Sequence, residues 1–239
     1  MKSRLSLDDG PPVVAALQRG GDPECLNAIL ASPFAPGQSP FKIKGNAYRG
    51  QHAFVEEFHG DVAVFAEELG QRTVPPWGEF YTQAFLANRQ YDVLPLVVAG
   101  IFAAEKARQP YAEWASERAR RQATVDKGGV YRMLLRMAPP RTLVTRIPKI
   151  FANYINFGQV RSMAVDDGVH AQFLGVPALI EPWFSAIIGA YMHAVMELSR
   201  VEGIRVQMDT KSTPGLSHGM ALCTVSAKVT WRHWEWTLG

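Results

Sequence analysis

The sequence predicts an α+β fold, in which an N-terminal helical layer packs on a small antiparallel sheet built from a C-terminal α-ββ-α-ββ unit. Apolar residues recur at helical spacing through the first two thirds of the chain, for example over residues 45–59. From residue 159 onward, two runs of β-type residues flank Asp166-Asp167-Gly168, a sequence typical of a tight hairpin turn. The strand, loop and strand pattern returns over residues 204–231, after one long helix.

The elements follow in order along the chain. Two short helices and a Pro/Gly/Ser-rich loop make residues 1–40 an N-terminal extension, and residues 232–239 form a Trp-rich tail. Between them, residues 41–231 are expected to form one domain, with residues 72–80 as a loop. The predicted helices are residues 13–19, 23–30, 45–59, 62–69, 91–109, 111–123, 129–137 and 142–157, the last kinked at Pro148.

Composition limits the class of protein. The hydrophobic share of 47% and the charged share of 20% are typical of a globular protein with a packed core, and they exclude a disordered chain or a coiled coil. Two distant cysteines, Cys25 and Cys223, exclude a disulfide scaffold. The N-terminus reaches Asp8 and Asp9 before any apolar stretch and is a poor signal peptide, so a cytoplasmic protein is expected.

The most apolar long run covers residues 178–203. Glu181 and Pro182 interrupt one end, and about 15 residues remain before Glu197, against roughly 20 for a membrane span. We therefore predict a buried helix and no transmembrane segment.

That helix carries two apolar faces. Phe184, Ile188 and Tyr191 belong to a broad arc expected against the sheet, whereas Gly189, Met192 and Met196 form a second stripe. The helical layer, a second subunit or a ligand must cover this stripe, which makes it a candidate homodimer interface. His193 borders the stripe and is expected to form a hydrogen bond rather than to bind a ligand.

The charge is concentrated in one region. Residues 117–161 contain 10 Lys and Arg against 2 Asp and Glu. The simplest interpretation is a solvated positive face, and an acidic partner protein is the next. Nucleic acid is not expected, because aromatic residues are not interleaved with the cations. The candidate basic surface comprises Arg118, Arg121, Arg132, Arg136, Arg141, Arg146 and Lys149.

The tail "TWRHWEW" contains three of the six tryptophans. Large aromatic side chains there either cap the core or contact a partner chain, so Trp234 and Trp236 are also candidate interface residues.

No catalytic residue is predicted. His52, Glu56 and His59 share a helix face at a spacing that could bind a metal ion. We expect this face simply to be polar and exposed to solvent. The sequence contains no nucleophile elbow, phosphate-binding loop or zinc-protease motif.

Several segments carry a resemblance: "FKIKGNAYRGQHAFVEEFHG", "FLANRQYDVLPLVVAGIFAA", "DKGGVYRMLLRM", "IPKIFANYINFGQV" and "ALCTVSAKVTW". Over residues 41–231, they resemble a paralogous family of uncharacterised proteins abundant in myxobacteria. This family is similar to the superfamily of haem-NO-binding domains, 4-vinyl-reductase-type domains and small TRAPP subunits. The resemblance implies helices on an antiparallel sheet, often around an apolar pocket, or a dimeric scaffold.

Two departures from that superfamily bear on cofactors. No tyrosine begins the Tyr-x-Ser-x-Arg motif of the haem-binding members, and Cys223 stands without the cysteine cluster of the zinc-binding members. Neither haem nor zinc is therefore expected, and no cofactor is predicted.

The predicted function is a non-catalytic regulatory or sensory module that binds a small apolar ligand between helices and sheet. The alternative is a dimeric interaction scaffold without a ligand, and a weaker alternative is an enzyme with dispersed catalytic residues. The candidate ligand-binding residues are Phe151, Tyr154, Phe173, Phe184, Ile188 and Tyr191.

Overall fold

A computed structural model describes residues 3–5, 22–125, 142–199 and 201–234. The helices are α1 (Asp22–Leu30), α2 (Gly45–His59), α3 (Val62–Arg72), α4 (Pro75–Tyr81), α5 (Leu94–Ala107), α6 (Tyr111–Val125), α7 (Leu143–Tyr154) and α8 (Glu181–Leu198). The strands are β1 (Ser3–Leu5), β2 (Lys42–Lys44), β3 (Gln90–Asp92), β4 (Gln159–Val165), β5 (Gly168–Pro177), β6 (Val201–Glu202), β7 (Arg205–Ser217), β8 (Met220–Thr230) and β9 (His233–Trp234). A short 3-10 helix, Ala178–Ile180, precedes α8.

The main sheet has five antiparallel strands in the order β1-β7-β8-β5-β4. The predicted turn at Asp166-Asp167 joins β4 to β5. The order α7-β4-β5-α8-β7-β8, in which only the two-residue β6 of a separate sheet intervenes before β7, confirms the predicted C-terminal unit and the α+β fold. Strand β1 was not predicted: it pairs with the far edge of β7, with Ser3 opposite Thr210.

The strands alternate between two faces, as period-2 geometry requires. The inner face is buried and includes Val206 and Met208 of β7 and Val225, Ala227 and Val229 of β8. Helix α8 lies on this face, and α6 packs along α8 from the other side. Helix α8 is therefore enclosed between the helical layer and the sheet.

The N-terminal helices share the same hydrophobic core. Helix α5 is buried on all sides from Leu94 to Ala104, which explains its almost uninterrupted apolar sequence. Within the predicted N-terminal extension, α1 places Leu26 and Ile29 in this core. The domain boundaries at residues 40 and 231 stay predictions.

One predicted loop is a helix. Residues 72–80 were expected to be irregular because of the Pro75-Pro76 pair, yet Pro75–Tyr81 forms α4. Proline is tolerated in the first helical turn, where its missing N–H has no intrahelical acceptor, and burial of Trp77 and Tyr81 holds the turn in place. The predicted helices at residues 13–19 and 129–137 lie outside the described residues.

One helical stretch in the described part of the chain, Ala178–Glu197, is long and apolar enough to cross a membrane, with a mean hydropathy of 1.2. Its length therefore does not exclude a span, contrary to the prediction. However, 67% of this stretch is buried inside the protein, as is typical of a core helix.

Candidate functional site

An apolar cavity of about 60 Å³ lies among α6, α7 and α8. Its wall is almost entirely hydrophobic. The lining residues are Ile43 and Ala47; Arg118, Ala119 and Gln122 of α6; Ile150, Phe151, Tyr154 and Ile155 from α7 and its C-cap; and Trp183, Phe184, Ile187, Ile188 and Tyr191 of α8.

Five of the six predicted ligand-binding residues line this cavity: Phe151, Tyr154, Phe184, Ile188 and Tyr191. The sixth, Phe173 of β5, lies behind two of them. Its ring centroid is 4.8 Å from that of Phe151 and 5.4 Å from that of Phe184, both with edge-on geometry. The cavity was predicted to lie between the helices and the sheet. It lies instead among the helices, and Phe173 of the sheet packs behind two of its lining residues.

A smaller cavity of about 20 Å³ lies deeper, between α7, α8 and the sheet. Val169 and Val229 of the sheet form part of its wall. The two cavities share Ile150, Phe151 and Tyr191, whose side chains separate them.

Helix α6 contributes three residues to the cavity wall that were not predicted to line a pocket. Arg118 was assigned to a basic surface, but its side chain is buried, with 5% exposure, and its Nη1 donates a hydrogen bond to the Ala47 carbonyl at 3.3 Å. The assignment was wrong because the apolar stem of an arginine packs readily against a hydrophobic wall. Alanines at positions 112, 115 and 119 are the signal that was available, since small residues at helical spacing allow α6 to approach α8 closely.

The other predicted basic residues are scattered. Arg121 forms ion pairs with Glu57 and with Glu117. Its guanidinium carbon also lies 5.0 Å from the ring centroid of Phe54. Arg146 is half-buried on α7, and Lys149 is exposed there. Arg132, Arg136 and Arg141 lie outside the described residues.

The second stripe of α8 is covered by the sheet of the same chain. A Cβ added at Gly189 would lie 3.5 Å from the Met208 side chain of β7, and Met192 and Met196 are buried beside Val169 and Val229. This corrects the assignment of the two faces: the stripe faces the sheet, and Ile187, Ile188 and Tyr191 face the cavity. Gly189, Met192 and Met196 are buried and therefore do not present an exposed surface to a second subunit.

The predicted interface tryptophans lie at the C-terminal end. The backbone of Trp234 pairs with Val201 in a two-stranded sheet. Trp236 lies outside the described residues.

The histidine pair of α2 is not solvated as expected. The His52 ring lies 4.5 Å from the Tyr81 ring, and the His59 ring lies 5.7 Å from that of Phe65. Burial lowers the pKa of both imidazoles, while Glu56 stays exposed. Across the described residues, no three His, Cys, Asp or Glu side chains converge on a metal-binding position.

His193 is half-buried on α8, and within the described part of the chain its Nδ1 does not form the hydrogen bond that was expected. Its Nδ1 lies 3.4 Å from Glu197 Oε1, one helical turn away. Burial is the largest influence on this imidazole and lowers its pKa.

The chain matches no protein-family model and no curated protein sequence. It resembles solved structures of H-NOX domains at a TM-score of 0.47. A structure from a study of haem distortion in the H-NOX family is 10% identical and aligns with 82% of this chain and 99% of its own. A mutant H-NOX of T. tengcongensis is 10% identical, with coverages of 81% and 100%. An Fe(II) H-NOX protein of S. oneidensis is 10% identical, with coverages of 81% and 98%. At this identity and TM-score, the likeness carries no argument about what this chain binds.

The prediction of no cofactor is withdrawn, because the first of these structures comes from a study of haem distortion. The described cavity does not fit a porphyrin in this conformation. Its volume is about 60 Å³, and among its described lining residues the iron-ligating types are limited to the phenols of Tyr154 and Tyr191.

Proposed function

We propose that this protein is a cytoplasmic sensory or regulatory module that binds a small, largely apolar molecule in the cavity among α6, α7 and α8. The cavity itself carries the proposal. Close-packed protein interiors rarely leave voids larger than a water molecule, and an apolar void of this kind stays dry and binds apolar molecules.

The size of the cavity limits the ligand. An engineered cavity of about 150 Å³ is known to hold benzene, and this one has about 60 Å³. A molecule with a few heavy atoms fits without rearrangement. A larger one requires movement of Phe151 or Tyr191, which separate the main cavity from the deeper one.

The position of α8 provides a route from ligand to output. One side of the helix lines the cavity through Ile188 and Tyr191. The other side contacts the sheet, where Gly189 of the helix lies against Met208 of β7. A ligand that shifts α8 therefore also shifts the sheet beneath it, because a packed helix moves as a unit.

Ligand-dependent thermal stability tests this proposal. Xenon, and separately a library of small apolar molecules, should raise the melting temperature of the wild-type protein. Ala119→Leu fills the cavity and should abolish the shift, whereas the matched Ala152→Leu, on the exposed side of α7, should retain it. The absence of any shift across xenon and the library would overturn the apolar-ligand proposal.

The absorbance spectrum of the purified protein tests for haem in parallel.

A second candidate is an interaction scaffold, favoured by the outer face of the sheet. Arg161, Lys211 and Lys228 are exposed there, with Asp209 as the neighbouring carboxylate. Such a surface attracts an acidic protein. Binding of a glutamate-rich peptide should weaken with salt and with Lys228→Glu, but not with Lys149→Glu on α7. Equal loss in both variants would refute a role for the sheet face.

A further inference from the structure

A solvent-open groove of about 600 Å³ lies between α2 and α6, beside the apolar cavity. Its lining residues are Asn46, Arg49, Gly50, Ala53, Phe54, Glu57, Arg121 and Gln122. Gln122 belongs to the wall of both the groove and the cavity. The side chain of this one residue therefore lies between the groove and the cavity.

Gly50 determines where that side chain lies. A Cβ at position 50 would overlap the Oε1 atom of Gln122, so the amide occupies the space that the missing side chain leaves on α2. Gln122 is only 9% exposed in this position. Because the overlapping atom is at the end of a flexible side chain, it can move while both helices stay in place.

The groove exposes more polar surface than the cavity, and its wall includes three charged side chains, Arg49, Glu57 and Arg121. Arg121 is engaged by Glu57 and Glu117, so the exposed Arg49 supplies the remaining positive charge on this wall. Asn46 is half-buried beside it. An apolar compartment joined to a cationic one matches a ligand with an apolar end and an anionic head.

We propose that Gln122 closes an entrance between the groove and the cavity, and that the ligand is a small amphipathic anion. Its apolar end enters the cavity past Gln122, and its head group stays in the groove beside Arg49. This inference rests on the proposed function, since it assigns an access route and an outer subsite to the same ligand.

Xenon exchange tests the entrance. Gln122→Ala removes the side chain that closes the entrance. Gly50→Ala leaves Gln122 in the sequence but displaces its amide, because the new Cβ takes up the same space. In both variants, the exchange rate of xenon between cavity and solvent, measured by xenon NMR, should rise at least tenfold. The control Gln71→Ala, at an exposed glutamine of α3, should leave the rate at its wild-type value.

The outcomes separate the two proposals. If neither xenon nor any molecule of the apolar library binds the wild-type protein, the cavity is not a ligand site and both proposals fail. If xenon binds but exchanges at the same rate in all four proteins, the entrance at Gln122 is refuted while the ligand site stands.

Short amphiphiles test the outer subsite. Butyrate should bind more tightly than 1-butanol, and Arg49→Ala should weaken butyrate roughly threefold, the size typical of an exposed ion pair, while leaving 1-butanol unchanged. Arg89→Ala, at an exposed arginine outside the groove, is the matched control. Equal affinities of the two probes, or equal loss in both variants, would overturn the assignment of an anionic head group.

Discussion

At the scale of single residues, Asp92 fixes the start of α5. Its carboxylate is 1% exposed and accepts hydrogen bonds from the Ser39 backbone N–H at 2.8 Å, from the Leu94 backbone N–H at 3.0 Å and from the Ser39 hydroxyl. This one side chain thereby ties the loop before β2 to the first turn of a fully buried helix.

Asp92→Ala should therefore lower the free energy of unfolding by about 2–5 kcal/mol, because it leaves two buried backbone donors without an acceptor. Asp61→Ala is the matched control, since Asp61 caps α3 by accepting from the Ala63 N–H at an exposed site. That variant should lose about 1 kcal/mol. Urea denaturation measures both, and equal losses would show that the buried network adds nothing.

His52 and His59 predict a pH dependence of stability. Burial lowers the pKa of both rings below 6.5 in the folded protein, so the unfolded chain takes up protons first as the pH falls. Stability should be fully present above pH 6.5 and decline as the pH falls from there through the folded-state pKa values.

The slope of stability against pH between 7 and 5 measures this effect. His52→Phe, which keeps the ring contact with Tyr81, should reduce the slope. An unchanged slope in His52→Phe would assign the acid sensitivity to other groups.

Some of the cavity-lining residues could be identified from the sequence, and others could not. Phe151, Tyr154, Phe184, Ile188 and Tyr191 are apolar or aromatic residues at helical spacing, so periodicity identifies them. Arg118 and Gln122 are polar. Polar residues on a helix predict a solvent-exposed face when the packing of the neighbouring helices is not known. Their burial arises from the packing of α6 against α2 and α8, which is a tertiary effect.

At the scale of elements, α8 connects the helical layer and the sheet. The sequence predicts its two apolar faces correctly, but not which face meets the sheet. Gly189 identifies the face that meets the sheet, because a Cβ at this position would be in van der Waals contact with the Met208 side chain of β7. Local periodicity alone cannot assign a face to a partner when both faces are apolar.

Two substitutions at Gly189 should give opposite results. Gly189→Ala places its Cβ 3.5 Å from Met208, an ordinary contact, and should be neutral or stabilising by up to about 1 kcal/mol through helix propensity. Gly189→Arg forces a charge between α8 and the sheet and should destabilise the fold by more than about 3 kcal/mol.

Denaturation and size-exclusion chromatography distinguish the possible outcomes for Gly189→Arg. Loss of the folded protein is expected. A stable, folded variant with a larger elution volume would instead place Gly189 at a subunit interface and contradict the packing on Met208.

At the scale of the whole molecule, the α-ββ-α-ββ unit was predictable because each of its elements carries a local signal: the Asp-Gly turn, the strand alternation and the long apolar run. Strand β1 was not predictable, because a strand of three residues is too short to show periodicity and its partner strand lies about 200 residues later in the chain. Helix α4 was missed for a different reason, since its two prolines are equally typical of a loop.

Deletion of residues 1–5 should expose the outer edge of β7. An uncovered strand edge is a template for pairing with another chain, so the shortened protein should self-associate at a lower concentration than the full chain. Light scattering over a concentration series measures this. Identical scattering curves for the two proteins would show that β1 does not protect the edge.

The pairing of β1 with β7 also has a consequence in time. Ser3 and Thr210 lie about 200 residues apart along the chain, and ribosomes add about 5–20 residues per second. Residues 3–5 therefore leave the ribosome roughly 10 to 40 seconds before their partner strand. During synthesis, residues 3–5 therefore have no partner strand until β7 has been made.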